Sequence, residues 1–446
     1  MAHSRLLAAL LLASSAGSSA SEPLDPAGAV ELALANSPQL AAAGSSVRVS
    51  EAEQAIARSG YKPRLSLSED WVRSTDPVFV FASKLGQEIF GPADFDIDTL
   101  NEPDAFTNAR TQIALEQSIW NGDRSRLGSK AAGLGLEATL LDQRRTSDRV
   151  AFDALRAFWD AVLADAMLDL ARDAEDAGTA NLELATALVE EGAAIPSDRM
   201  SAAVRLAELR AMRIQAEAGT LVARASLEHA LGTGPGRTFD LIATPVRRTQ
   251  AANEPDALVA EALAARPELQ GLDLRIEQAR LGERLARSGR LPQVGAGARY
   301  DLNGEQPFDP SGDNWTVGLS LRIPLYQGSE VKSREAAVRA ERERAEQLRR
   351  ALIDGIRLEV LAARAERDAA GERLAVSASA LEQAAEALRI VRERYAEGMA
   401  LIVELIGAEA AETQARANDV RAQRDLALAE AGLDLVLGRP IRPTED

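Results

Sequence analysis

The chain has 446 residues, a net charge of −17, only 4% aromatic residues and no cysteine. The acidic balance argues against nucleic acid as a partner. The lack of cysteine excludes disulfide bonds, thiolate metal sites and a lipidated N-terminal cysteine. Ala, Leu, Glu and Arg dominate the composition, which is typical of long helices and coiled coils.

Residues 1–20 have the features of a secretory signal peptide. One arginine precedes an apolar run over residues 6–13, and Ser18 and Ala20 occupy the −3 and −1 positions of a cleavage site. The run is too short to span a membrane as a helix. We therefore expect an exported protein whose net charge changes from −17 to −18 when that arginine is removed. The alternative is a retained amphipathic helix.

The rest of the sequence consists of two similar halves. Several short motifs recur in the same order: Arg58-Ser59-Gly60 as Arg287-Ser288-Gly289, Trp120-Asn121-Gly122 as Tyr326-Gln327-Gly328, Glu191-Gly192 as Glu397-Gly398, and Leu231-Gly232 as Leu437-Gly438. The first pair is shifted by 229 residues and the other three by 206, which places a 23-residue surplus in the first half. A repeat this long indicates a duplicated half-molecule rather than a solenoid.

The first repeat is delimited as residues 21–235. A helix is predicted from about residue 25 to 59, where Gly60 and Pro63 end it. A β-hairpin over residues 64–120 follows, and then a helical hairpin whose tip lies near Gly192.

The surplus of the first repeat lies within its β-hairpin, around residues 79–106. Five acids are interleaved there with aromatic residues: Asp94, Asp96, Asp98, Glu102 and Asp104. Their spacing lacks the twelve-residue pattern and central glycine of an EF-hand calcium loop. We interpret the segment as a long extracellular loop with solvated charges.

A linker over residues 236–255 precedes the second repeat, residues 256–438, and a tail over 439–446 follows it. The second repeat begins with a helix to about residue 288 and continues with a β-hairpin over residues 293–325. The last strand alternates strictly, with apolar residues at every second position: Trp315, Val317, Leu319, Leu321, Ile323 and Leu325. Its twelve residues suit a tilted transmembrane strand.

Periodicity alone leaves a small soluble sheet open as an alternative for these strands. Of the 17 aromatic residues, 12 lie in residues 61–120 and 300–326. Aromatic girdles at the two membrane interfaces would produce this clustering. The aromatic residues therefore favour a membrane sheet.

Very long helices are predicted over residues 123–190 and 329–397. In the second, Leu374, Leu381, Leu388 and Tyr395 follow heptad spacing and indicate a coiled-coil seam. Gly192 and Gly398 end these helices, and shorter helices return to Gly232 and Gly438. Each repeat is thus expected to contain an antiparallel helical hairpin.

The sequence offers no signal for catalysis. Apart from His3 in the predicted signal peptide, His229 is the only histidine, so it cannot form a catalytic pair or a metal cluster. Nucleophile-elbow, P-loop, zinc-protease and dinucleotide motifs are absent from the sequence. We therefore predict that the protein is not an enzyme and holds no cofactor or metal.

Four strands per chain are too few to close a membrane barrel, because the smallest bacterial barrels have eight. Lipid does not tolerate open sheet edges. A membrane sheet in this chain therefore implies a homo-oligomer.

The sequence resembles the TolC-like outer membrane efflux protein family in three features. They are the duplicated arrangement, the two strand-to-glycine junctions ending at Gly122 and Gly328, and the segment Arg394-Tyr395-Ala396-Glu397-Gly398. The resemblance implies a mainly α fold with four transmembrane strands per chain. It also implies a homotrimer that forms one barrel in the outer membrane lipid of a Gram-negative bacterium and a helical tunnel in the periplasm.

The function implied by the resemblance is the exit duct of a tripartite efflux pump or a type I secretion system. Its partners would be a periplasmic adaptor protein and an inner membrane transporter. The alternative from another class is a soluble periplasmic coiled-coil adaptor or scaffold protein.

The resemblance also assigns two sets of positions. The hairpin tips would dock the adaptor through Gly192, Ala193, Ala194, Gly398, Met399 and Ala400. Asp198 and Glu404, each six residues past a tip glycine, would line the periplasmic aperture as a negative ring that selects cations. A second family acid is replaced by Gly407. The alternatives are a plain helix turn for the glycines and a solvated helix face for the acids.

Overall fold

The computed structural model describes residues 21–192, 194–234, 236–243 and 254–441. The predicted signal peptide, Ala193, residues 244–253 of the predicted linker and residues 442–446 of the predicted tail lie outside the described residues. The chain divides into two compact units, one formed by residues up to Ala43, Gln143–Pro267 and Ile353 onward, the other by Gly44–Asp142 and Glu268–Leu352.

The two repeats contain matching helices and strands. The first holds β1 (Glu22–Leu24), α1 (Pro26–Asn36), α2 (Pro38–Ser59), β2 (Arg64–Ser74), α3 (Pro77–Gly86), α4 (Ile97–Asn101), β3 (Phe106–Trp120), α5 (Arg124–Glu190) and α6 (Pro196–Leu231), and β4 (Phe239–Leu241) follows it. The second holds α7 (Pro255–Ala265), α8 (Pro267–Arg287), β5 (Gln293–Gly304), β6 (Gly312–Arg322), α9 (Glu330–Ala396) and α10 (Ile402–Leu437). Helices α5 and α9 both have 67 residues, and α6 and α10 both have 36. The prediction of a mainly helical, duplicated fold is confirmed. Among the described residues, no helix combines the length and apolar character needed to cross a membrane.

The unit that contains residues 44–142 and 268–352 is built around one antiparallel sheet in the order β2-β3-β5-β6. Each repeat contributes one hairpin. The apolar residues of β6 share one face and are exposed, as in Trp315, which is 72% exposed and pairs with Tyr300 of β5. The opposite face is polar, with Gln112 Nε2 donating to Asp301 Oδ1 at 2.6 Å. The sheet therefore separates an apolar face from a polar face.

The insert between β2 and β3 is more ordered than the predicted loop. It contains α3, a 3₁₀ turn (Pro92–Phe95) and α4. The prediction that its acids are only solvated charges is wrong for Asp94, which pairs with Lys84 at 2.6 Å, and for Asp96, which accepts backbone hydrogen bonds at the start of α4. Gln87, 2% exposed, anchors the insert because its Nε2 donates to the carbonyl oxygens of Thr107 and Gly304 at 3.0 and 2.9 Å.

Two predicted helices are each divided in the structure. The helix predicted over residues 25–59 is interrupted at Ser37, and the one predicted over 256–288 at Arg266. Both residues are extended and precede a proline, whose ring disfavours the helical conformation of the residue before it. The predicted linker contains β4, which pairs in parallel with β1. Strands of three residues are too short for an alternating pattern to reveal them.

The unit that contains residues 143–267 has its main apolar core beside this small sheet. Phe158 is fully buried, and its ring meets that of Trp159 edge-on at 5.6 Å between centroids. The two rings pack with Leu227, Leu231 and Phe239. This cluster joins α5, α6 and β4.

We expect Phe158→Ala to destabilise the helices of this unit by about 3–5 kcal/mol, because it removes the side chain and leaves a cavity. Thermal unfolding followed by circular dichroism measures the effect. Phe158→Leu is the control and should cost less, since it keeps most of the apolar volume. An unchanged midpoint for the alanine variant would show that the cluster does not hold the helices together.

Candidate functional site at the helical hairpin tips

The two helical hairpins turn in the same way. Gly192 and Gly398 follow the long helices with φ angles of +74° and +71°, a conformation that favours glycine. In both repeats the next helix begins four residues later, at Pro196 and Ile402. A Cβ atom at either glycine would meet no described atom within 4 Å. The backbone conformation requires glycine, and the space outside each turn is open within this chain.

The second tip has an additional side-chain clamp. The Met399 N–H donates to the Arg394 carbonyl oxygen at 2.8 Å, and the Arg394 guanidinium donates to the Met399 carbonyl oxygen at 3.1 Å. At the first tip the Ala194 N–H donates to the carbonyl oxygen of Leu188 at 3.1 Å. Leu188 has no guanidinium, so this clamp belongs to the second tip.

A small apolar core joins the two hairpins near their tips. Leu388, Tyr395, Ile402 and Leu405 are buried together, and Leu188 of the first hairpin packs against them. Leu388 and Tyr395 belong to the predicted heptad seam, which is therefore the packed face of α9 at this end. The tips are held against each other rather than separately solvated.

Asp198 and Glu404 occupy equivalent positions, in the first turns of α6 and α10. A carboxylate there interacts favourably with the helix dipole, so each has a local structural role. Glu404 is exposed and Asp198 is half-buried. Burial and the negative charge of Asp198 raise the pKa of the Tyr395 hydroxyl. This electrostatic effect couples Asp198 of the first hairpin to Tyr395 of the second. The sequence placed Tyr395 in the seam but gave no signal of this proximity.

The structure places the other predicted tip residues as follows. Ala194, Met399 and Ala400 lie in the two turns, while Ala193 lies outside the described residues. Ala400 packs on the tip core. Gly407 is exposed, and a Cβ there would meet nothing within 4 Å of the described atoms.

Large apolar side chains surround the tips, and all of them except Met399 were missed by the sequence reasoning. Six are more than half exposed: Ile195, Met200, Val204, Met399, Leu401 and Val403. A groove of about 420 Å³ lies between α6 and α10, lined by Met200, Val204, Val403 and Ile406 among others. The sequence signal was a cluster of aliphatic residues directly after each glycine in an otherwise Ala- and Glu-rich stretch. Exposed apolar clusters of this kind mark interaction surfaces.

Known proteins resemble this chain along most of its length. Alkaline protease secretion protein AprF of Pseudomonas aeruginosa is 25% identical over 321 residues, which cover 70% of this chain and 63% of AprF. Fusaric acid resistance protein FusA of Burkholderia cepacia is 23% identical over 301 residues, which cover 66% of this chain and 54% of FusA. The chain therefore spans less than two thirds of the length of either relative.

The fold is that of a solved outer membrane channel. The crystal structure of the CmeC outer membrane channel of Campylobacter jejuni superposes with a TM-score of 0.80 at 14% identity, covering 94% of this chain and 87% of CmeC. The sequence also matches the family described as outer membrane efflux protein over residues 29–233 and 258–439. These matches confirm the resemblance predicted from the sequence. The chain belongs to the outer membrane efflux protein family, whose members lie in the outer membrane and extend into the periplasm.

Proposed function

We propose that three copies of this chain form the exit duct of a tripartite efflux pump or a type I secretion system. The four strands of each copy would join into one continuous closed sheet in the outer membrane. The helices would continue the duct into the periplasm, where the hairpin tips dock an adaptor protein coupled to an inner membrane transporter. The observation that carries the proposal is the sheet with one exposed apolar face, in a chain of this family.

The sheet supports assembly because each of its outer strands has a free edge. Within the described residues β2 pairs only with β3, and β6 pairs only with β5. Unpaired backbone groups are costly in lipid. Pairing β6 of one copy with β2 of the next would satisfy both edges.

Helix α6 supports assembly in a second way. Leu206 and Leu209 are buried against the chain's own helices. A second heptad stripe on α6 is exposed: Met200, Val204, Ala207, Ala211, Ile214, Ala218 and Leu221. Apolar residues at this spacing form a coiled-coil seam and need a helical partner. A neighbouring copy would supply that partner.

The tips support adaptor docking and a charged aperture. Gly192 and Gly398 have open space around them, and six exposed apolar side chains surround the two turns. Asp198 and Glu404 would be repeated threefold in the assembled duct. Ala193 completes the first tip in sequence. In this proposal the transporter sets the cargo, and AprF and FusA are named for secretion and for resistance respectively.

Planar-bilayer recording tests the proposal directly. Detergent-purified protein should produce stepwise increases in conductance as single channels insert. Cell fractionation should recover the protein with the outer membrane. Recovery in the soluble periplasmic fraction without detergent, together with no conductance, would instead support a soluble coiled-coil adaptor.

A further inference from the structure

Positive charge is concentrated at one end of the sheet, where the strands connect to the long helices. We define the basic belt as residues 58–64, 120–126, 284–290 and 322–334. It contains eleven Lys and Arg residues and two acids, a net charge of +9 in a chain whose total is −17. These segments lie together at one end of the sheet, because Trp120 pairs with Val294 and Arg322 pairs with Gln293 at the ends of their strands.

The opposite end of the same sheet, where the strands of each hairpin are connected, carries negative charge. The connections over residues 76–104 and 305–313 contain ten acids and one lysine, a net charge of −9. Charge is therefore sorted across the sheet. This separation distinguishes the basic belt from a random excess of cations, since the chain as a whole is acidic.

Most cations of the basic belt have no carboxylate partner. Arg126, Arg287, Arg290 and Arg334 form ion pairs. Six others are exposed and make no ion pair within 4.0 Å in the part of the chain that the structure describes: Arg58, Lys62, Arg64, Arg284, Arg322 and Lys332. Like charges gathered at one end of the sheet repel each other. An anionic partner from outside the chain would remove that repulsion.

The basic belt lies where the apolar face of the sheet begins. Leu65 and Leu321 are exposed next to Arg64 and Arg322. Three exposed aromatic residues lie within or between the same segments: Tyr61, Trp120 and Tyr326. Tyr and Trp concentrate at the level of lipid headgroups. The cations are therefore placed at the depth where lipid phosphates lie.

A groove beside the basic belt combines apolar walls with guanidinium groups. It has a volume of about 670 Å³ and lies between α8 and the first turns of α9. Leu285, Val331 and Val338 line it together with Arg124 and with Arg334, which pairs with the lining residue Glu330 at 2.7 Å. Such a lining suits a molecule that carries both phosphate and hydrocarbon.

We propose that the basic belt binds the phosphates of anionic phospholipids in the periplasmic leaflet of the outer membrane. The inference rests on the proposed function. If the long helices lie in the periplasm, the end of the sheet that joins them lies at the periplasmic leaflet. Guanidinium groups bind phosphate oxygens through charge-assisted, often bidentate hydrogen bonds. Each contacting cation should favour an anionic over a neutral lipid by about fivefold at low salt.

Electron spin resonance of spin-labelled phosphatidylglycerol, with spin-labelled phosphatidylcholine as the neutral reference, measures this selectivity in reconstituted vesicles. Wild-type protein should prefer phosphatidylglycerol, and high salt should weaken the preference. A triple variant tests the first repeat: Arg58→Gln, Lys62→Gln and Arg64→Gln. It breaks no ion pair of the described chain and should lose most of the selectivity for phosphatidylglycerol. Arg322→Gln with Lys332→Gln should do the same from the second repeat.

The matched control removes the same charge from Arg339, Arg344 and Arg350, which are also exposed without an ion pair in the described chain. They lie ~8–24 Å along α9 from Arg334, where the basic belt ends, and Arg344 and Arg350 are beyond the screening length. This control should keep wild-type selectivity. The inference would be overturned if the belt variants kept the lipid selectivity of the wild type, or if wild-type channels that conduct showed no selectivity. Neither result would affect the exit-duct proposal. If the wild type forms no conducting channel, the exit-duct proposal fails and the leaflet assignment fails with it.

Discussion

Replacing Gly398 by tryptophan should abolish export while leaving the assembled channel intact. The turn at Gly398 is exposed, and its Cβ direction is open within the chain, so the indole would point towards whatever docks there. The φ angle of +71° costs a non-glycine residue roughly 1–2 kcal/mol, which a surface turn can absorb. Loss of ~1.4 kcal/mol of binding at the tip already lowers adaptor affinity tenfold. Export and cross-linking to the adaptor are the measurements.

Gly398→Asn separates docking from the needs of the turn. Asparagine tolerates the left-handed conformation and is small, so this variant should export nearly normally. Equal loss in both variants would mean that the turn conformation alone matters. Normal export and normal cross-linking by the tryptophan variant would reduce Gly398 to an ordinary turn residue. Gly192→Trp tests the first tip in the same way.

Neutralising the proposed aperture acids should raise anion permeability relative to cation permeability. Glu404→Gln, alone or with Asp198→Asn, removes up to six charges from the proposed trimer. Charges that face a narrow, poorly solvated opening act far more strongly on ions than charges in bulk water. Reversal potentials in a planar bilayer under a salt gradient measure the change. Both substitutions keep the shape of the side chain, so the first turns of α6 and α10 should remain folded.

The control for this experiment is Glu382→Gln. Glu382 is exposed on α9, has no ion pair within the described part of the chain, and lies about 21 Å along the helix from its last residue. Its field should be screened beyond ~10 Å at ordinary ionic strength. If the aperture variants and Glu382→Gln leave selectivity equally unchanged, Glu404 does not line the opening.

The large elements of the fold could be predicted because the chain repeats them. A constant shift between recurring glycine motifs implies equal hairpins, and the structure has equal lengths for α5 and α9 and for α6 and α10. Strict alternation located β6 because every second side chain faces the same apolar surface. Prolines at positions 38 and 267 were visible in the sequence. Their effect was underestimated, since the residue before each leaves the helical region.

The remaining features depend on contacts that local sequence patterns do not encode. The insert became helical through Asp96 at a helix start and through Gln87, which bonds to two strands distant in sequence. At the tips, the glycines were predictable from turn chemistry. The influence of Asp198 on Tyr395 was not, because it joins residues of different repeats.

The mass of the purified complex in detergent tests the central claim most directly. In the proposed assembly, neighbouring copies pair with the free edges of β2 and β6 and cover the exposed heptad stripe on α6. Native mass spectrometry should therefore find three chains per complex. A stable monomer that keeps its helical and sheet content in the same detergent would contradict the account.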